Sequence, residues 1–224
     1  MEHRAPPQTT LYLISPPVRE LLTRHREHGH VHVMSAYRSG LGSSPRKKLN
    51  LLWYVAPAAD LLTVQASEPP VWPGKLGEVR SSGTVTYPCE GDLVEIVVER
   101  SCQKTPPSHT PEALRTELER HGPDGLKLGK AYRSRPVIVP ETERPEWAVG
   151  RLAAIGLAPH RETVRVGPLA FASLGAQRRG IPYVEIRAHA RVADADKFAG
   201  VLDAGTGKGR NYGLGLIRVR PITA

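Results

Sequence analysis

The densest chemical signal in the sequence is Gly205-Thr206-Gly207-Lys208-Gly209-Arg210-Asn211-Tyr212-Gly213-Leu214-Gly215, five glycines in eleven residues with two cations among them. Glycine tolerates positive φ and carries no Cβ to hold a ligand away, so such a run lets backbone N–H groups approach an anion closely. It reads as a phosphate cradle or, more plainly, as a glycine-rich turn. A nucleotide P-loop needs a strand before it and GK[ST] leading into a helix; here a helix precedes and a strand follows, which disfavours both that motif and a dinucleotide fingerprint. The second signal is the cluster His25, His28, His30 and His32. Imidazole exchanges a proton near neutral pH and, as general acid or base, contributes about 10²- to 10⁴-fold. On a strand, His28, His30 and His32 would share a face and could hold a metal; on a helix they point apart. Surface histidines without a role are the plain alternative. The third signal is Gln177-Arg178-Arg179-Gly180, a basic tip between two strands. Its guanidiniums can fork onto phosphates or guanine edges, or simply be solvated. No nucleophile elbow, paired-carboxylate signature or HExxH motif occurs, so hydrolysis of esters, sugars or peptides lacks support.

These side chains need elements to hold them. Residues 10–14 read as a first strand, broken by Pro16-Pro17 before a helix that starts near Val18 and has only a partial apolar face, because residues 28–33 alternate like a strand. A turn-rich loop, 40–45, leads into the basic run Arg46-Lys47-Lys48, and residues 49–56 and 61–66 form a hairpin. Pro69-Pro70, Pro73-Gly74 and Ser81-Ser82-Gly83 make residues 68–90 the expected seam. Beyond it, 92–100 is a strand and 143–155 a helix with Trp147, Leu152 and Ile155 inward. Residues 163–172 and 183–192 are strands, 194–202 a helix capped by Asp194, and 212–219 a last strand. That order is the ferredoxin-like split arrangement, and the first half fits its beginning. The expectation is an α+β chain of two tandem ferredoxin-like domains, residues 1–88 and 89–224. A Pro- and charge-rich insertion at 104–135 holds one short helix near 111–121.

Composition bounds the function. With 224 residues, 40% hydrophobic and 24% charged, the chain can bury two cores. Two cysteines, Cys89 and Cys102, exclude a disulfide scaffold and a Cys-rich zinc site and argue against redox chemistry. No apolar run spans a membrane and residues 1–10 lack a secretory signal, so a cytoplasmic location is expected. The net charge of +9 sits at the two ends: residues 1–60 carry 8 Lys/Arg against 4 Asp/Glu, and residues 161–224 carry 11 against 5. This distribution suits a polyanion, nucleic acid before anionic membrane.

Taken together, these residues resemble the CasE family, the CRISPR-RNA-processing endoribonucleases of type I-E systems. ADADKFAGVLDAG running into TGKGRNYGLGLIRV is similar to the family's glycine-rich loop and closing strand. The segment from Glu99 to Thr105 is similar to its arginine strand and lysine turn, without the usual Asn-Pro, and Arg135-Pro136-Val137-Ile138 before the Trp147 helix follows the family's order. The family's first helix carries a histidine with an apolar residue three positions on and an Ala-aromatic pair at six and seven. His30 with Val33, Ala36 and Tyr37 fits that frame better than His32. The family's tyrosine one turn earlier falls at Glu27 and its lysine at Ser35, which leaves Arg38, Arg24 or Lys208 to substitute.

The resemblance implies a metal-independent, cofactor-free endoribonuclease. His30 moves a proton while the 2′-hydroxyl attacks the scissile phosphate, and Arg38 and Lys208 offset the developing charge. It implies RNA contacts from Arg46, Lys47, Lys48, Arg100, Lys104, Arg178, Arg179, Gly205, Gly207, Gly209, Arg210 and Gly213, with the two hairpin arginines near the stem end. The implied partners are the CRISPR repeat stem-loop and the other subunits of the type I-E surveillance complex, Cascade. A non-catalytic RNA-hairpin-binding subunit of the same fold, and a metal-dependent nuclease using His28, His30 and His32, are the rival readings.

Overall fold

A computed structural model describes residues 7–38, 40, 42–56, 58–105, 119–120, 122, 136–173 and 180–222. The expected helix near 111–121 falls almost entirely outside these residues, as do Arg178 and Arg179.

The first sheet is built from β1 (Gln8–Leu13), β2 (Leu52–Ala56), β3 (Leu61–Ala66) and β4 (Glu78–Thr84), in the antiparallel order β2-β3-β1-β4. Between β1 and β2 run α1 (Pro16–Arg24), α2 (Arg26–Met34) and the short α3 (Pro45–Leu49). The period-2 pattern of β2 divides its side chains between two environments. Trp53 and Val55 join Leu22, Val33 and Ala36 under the helices, whereas Leu52 and Tyr54 point the other way and meet Leu216 of the second half. Each such fully buried aliphatic or aromatic side chain contributes about 1.5–3 kcal/mol.

The second sheet has β5 (Leu93–Ser101) at its centre, flanked by the long β11 (Ile181–Val192) and by β12 (Ile217–Pro221), all antiparallel. Short strands β8 (Leu157–Pro159), β9 (Arg165–Val166) and β10 (Ala170–Ala172) line the far side of β11, and β6 (Gln103–Lys104) pairs with β7 (Val137–Ile138). Helices α4 (Arg144–Ala153) and α5 (Ala195–Ala204) pack Leu152 and Phe198 against Val94, Ile96, Ile186 and Ala188. Asp194 caps α5, its carboxylate accepting from the Lys197 amide at 2.9 Å. Strand order in both sheets is that of the ferredoxin-like fold, so the chain is α+β with two such units in tandem.

Four expectations change in detail. The expected first helix is divided in two: α1 stops at His25 (φ −120°, ψ 57°) and α2 restarts at Arg26, carrying residues 28–33 as helix despite their alternation. The basic run lies on α3 rather than in a loop. The segment 163–172 is divided into β9 and β10, with Gly167-Pro168 between them and a 3₁₀ turn at Arg161–Thr163 before them; proline has no ladder donor. Residues 212–216 are not extended, because Gly213 (φ +74°) and Gly215 (φ +84°) turn left-handed before β12. In the first unit the second crossover helix is reduced to a 3₁₀ turn, Pro73–Lys75. Prolines 69, 70 and 73 explain this, since each withholds an amide from any helix there.

Candidate active site

The site grows from a tight helix-to-sheet contact. Gly29 on α2 lets that helix settle onto the first sheet: a Cβ there would lie 3.0 Å from Leu22 and 3.1 Å from the Trp53 indole. On the same indole rests Gly213 of the glycine-rich segment, where a Cβ would come within 2.6 Å. Trp53 is thus clamped between two glycines from opposite ends of the chain, and His30 follows the first of them directly.

Arg26, one turn before His30, locks this arrangement. Its guanidinium is almost wholly buried. It donates to Glu99 Oε2 at 3.0 Å, to the Tyr212 carbonyl at 3.1 Å and to the Tyr183 hydroxyl at 3.0 Å. Burial pushes the Glu99 carboxyl above the usual carboxylate range, and the attraction of Arg26 opposes this. A buried ion pair with these extra bonds ties α2 to the central strand of the second sheet and to the glycine loop. Sequence reasoning missed Arg26. The signal available was an arginine on what proves to be the buried side of α2, four residues before His30.

The loop itself is rigid and densely packed. Glycines 205, 207, 209, 213 and 215 all have φ between +72° and +87°. A Cβ at Gly215 would lie 2.1 Å from the Thr206 carbonyl, and one at Gly205 2.6 Å from Leu52. Thr206 N–H bonds Gly215 O at 2.9 Å, and Gly215 N–H bonds Glu99 O at 2.7 Å. Between these anchors, the amides of Gly207, Lys208 and Gly209 make no backbone hydrogen bond among the described residues. A row of free amides at positive-φ glycines is the geometry of an anion nest.

His30 is half-buried, and its Nδ1 has no hydrogen-bond partner among the described residues. Burial, followed by the nearby Arg46 guanidinium, holds its pKa below the ordinary 6.5. Arg46 lies on α3, where it donates to the Leu51 carbonyl at 3.0 Å, and its own pKa is lowered by burial and then by Arg210. His30, Arg46 and Arg210 therefore form one electrostatic neighbourhood. Arg210 is pinned by a 2.8 Å bond to the Ala204 carbonyl. Glu27, one turn before His30 on the same helical face, likewise carries a buried carboxylate oxygen without a partner.

The remaining expected residues are distributed as follows. Arg38 is exposed and pairs with Glu68 at 3.1 Å. Lys208 borders a cleft with Arg100 and Gly207. Arg100 donates to the Thr206 hydroxyl at 2.5 Å, and burial together with Arg151 pushes it down to about 10. Lys104 pairs with Glu143, and Lys47 and Lys48 are exposed on α3. His28 is exposed, whereas His32 is half-buried with its Nε2 unpartnered. On the helix α2, His28 and His32, four residues apart, fall on one side and His30 on another, and among the described residues no group of three His, Cys, Asp or Glu can hold a metal ion. No described helix is long and apolar enough to cross a membrane.

Known proteins give this geometry a context. The chain is similar to a structure of the CRISPR endoribonuclease Cse3 bound to a 19-nucleotide RNA (18% identity, 97% of this chain and 100% of that one, TM-score 0.68). It is also similar to Thermus thermophilus Cse3 bound to an RNA representing a pre-cleavage complex (16%, 96% and 100%, TM-score 0.69). A chain of a CRISPR RNA-guided surveillance complex matches at 16% identity over 96% and 100%, with a TM-score of 0.54. At these identities the likeness establishes the shared fold. No curated protein sequence matches the chain. The family model described as CRISPR associated protein matches residues 96–221. That match covers more than half of the sequence, and the protein belongs to the CRISPR associated protein family.

Proposed function

We propose that the chain is a metal-independent endoribonuclease that cuts precursor CRISPR RNA at its repeat stem-loops, retains the product and serves as a subunit of the type I-E surveillance complex. The observation that carries this reading is His30, with a ring nitrogen unpartnered among the described residues, on a helix that packs against the Arg210–Tyr212 turn of the glycine loop, with Arg46 of α3 nearby. The RNA-bound Cse3 structures and the surveillance complex of the same fold support the choice of substrate and partners.

In this mechanism the neutral imidazole of His30 takes the proton of the ribose 2′-hydroxyl. Its depressed pKa keeps it unprotonated and ready as a base at neutral pH. The 2′-oxygen attacks phosphorus in line, the bond from phosphorus to the 5′-oxygen breaks, that oxygen takes a proton from a solvent water to leave as a 5′-hydroxyl, and the His30 imidazolium returns its proton to solvent. The other product ends in a 2′,3′-cyclic phosphate. Arg46 and Arg210 offset the extra charge of the pentacoordinate phosphorane, a preorganised effect worth about 3 kcal/mol per group. In this reading Lys208 and Arg38 hold the RNA backbone. A-form stems hide their bases in a deep groove, so recognition runs through shape and phosphates, as a basic surface suits.

Incubation of the purified protein with a repeat hairpin in EDTA tests the reading. A discrete shorter product with a cyclic phosphate end is expected. Tight binding with no product would make the chain an RNA-binding subunit, and cleavage that stops on chelation would contradict the metal-free route.

A further inference from the structure

Most described arginines on the exterior answer a carboxylate: Arg19 faces Asp60, Arg38 faces Glu68, Arg161 faces Glu146, Arg187 and Arg218 share Glu185, and Arg220 faces Glu95. One cleft instead gathers three cations at a single place. Arg100 from β5, Arg151 from α4 and Lys208 from the glycine loop border a single cleft of about 340 Å³, and none of the three has an acidic partner among the described residues. Arg151 is steered by the Trp147 ring, 5.9 Å beneath its guanidinium, and Arg100 is held by Thr206. Two guanidiniums that mutually repel, brought to one cleft by separate elements, make a place where an anion from outside is favoured.

We infer that this cleft is a second phosphodiester site for the RNA backbone, separate from the one beside His30, and that successive residues of one glycine loop serve both. The inference rests on the endoribonuclease reading and adds Arg151, which no sequence signal singled out. A phosphodiester presents non-bridging oxygens that accept from guanidinium forks, from an ammonium and from amides. Arg100, Arg151, Lys208 and the free amides of Gly207 and Lys208 supply all three donor types. Two residues after Lys208, Arg210 opens the turn that packs against α2, the helix of His30. A strand crossing the loop is thus gripped on both sides of the bond to be broken, which restrains the geometry that in-line attack needs.

The test measures binding of a repeat hairpin carrying a 2′-deoxyribose at the scissile position, so that affinity is read without cleavage, across a salt series. Arg151→Ala is expected to weaken Kd about tenfold, the loss of one charge-assisted contact, and to reduce the slope of log Kd against log salt by about 0.7 to 0.9. Arg165→Ala, which removes the same charge from an exposed side chain elsewhere, is expected to change Kd by less than twofold; thermal melting checks that both variants are folded. An unchanged Kd and slope for folded Arg151→Ala, or equal losses in the two variants, overturns the cleft while leaving the nuclease reading intact. Inorganic phosphate at constant ionic strength is expected to leave wild-type Kd unchanged; displacement of the hairpin by it, abolished in Arg151→Ala, would assign the cleft to free phosphate instead. Absence of hairpin binding by the wild-type protein overturns both readings.

Discussion

Arg26 on α2 and Glu99 on β5 form a 3.0 Å ion pair in which both side chains are more than nine-tenths buried, and this pair joins the histidine helix to the sheet that carries the glycine loop. The Tyr183 hydroxyl and the Tyr212 carbonyl add to the guanidinium's bonds and help its attraction offset the desolvation of both groups, although Nε is left without a partner among the described residues. The two halves of the site are therefore positioned by a contact that takes no part in the chemistry.

Removing one partner leaves the other as an unpaired buried charge. Arg26→Ala is expected to lower unfolding free energy by about 3–5 kcal/mol in urea titration, whereas an apolar replacement of both partners, Arg26→Met with Glu99→Leu, is expected to restore most of it. A single-variant loss below about 1 kcal/mol would contradict the buried pair.

The loop glycines are not equivalent. At Gly213 an added Cβ meets the Trp53 ring at 2.6 Å and φ is +74°, so Gly213→Ala combines overpacking with a left-handed backbone and is expected to cost about 2–5 kcal/mol. At Gly207 the nearest atom is a flexible Arg100 methylene at 3.4 Å, so Gly207→Ala keeps only the backbone cost of about 1–2 kcal/mol. Urea midpoints of the two variants give the comparison; equal losses would contradict the clamp on Trp53.

Arg46 disfavours the imidazolium of His30 by proximity. Arg46→Ala is expected to raise the His30 pKa toward 6.5, seen as a move of its ring-proton titration midpoint to higher pH in NMR, and to move the acidic limb of the cleavage profile to higher pH. A midpoint that stays where it is would remove Arg46 from the site.

Both His30 and His32 have folded pKa values below their ordinary 6.5, so the unfolded chain binds more protons as acid is added. Their contribution to stability is present above about pH 6.5 and is lost as pH falls through the depressed folded values. His30→Gln is expected to lose less stability than wild type between pH 7.5 and 5.5; the same loss in both would contradict the burial of this ring.

Legibility followed side-chain pattern. Strands β5 and β11 and helix α5 are readable because each buries one face, leaving alternation or a cap in the sequence, and β2 because burial on both faces leaves a continuous apolar run. Edge strand β4 was not, since all seven of its residues are exposed and its Ser81-Ser82-Gly83 reads as a turn; pairing with β1 alone makes it a strand. The helix α2 was obscured by Gly29 and by alternating His and Val, and only the Trp53 surface explains why a glycine belongs there. The loop's importance was visible from its glycines, but its rigidity was not, because the atoms that demand each missing Cβ come from β2, β5 and the loop's own far end. Arg26 and Arg151 were hidden for a related reason: a charge's role depends on what faces it across the fold.

The account turns on one imidazole, and single-turnover cleavage of a repeat hairpin by His30→Ala, with His32→Ala alongside, tests it most directly. His30→Ala is expected to lose about 10²- to 10⁴-fold in rate with Kd within a few-fold of wild type, while His32→Ala still cuts. Wild-type cleavage by His30→Ala, or inactivity confined to His32→Ala, would contradict the proposed site.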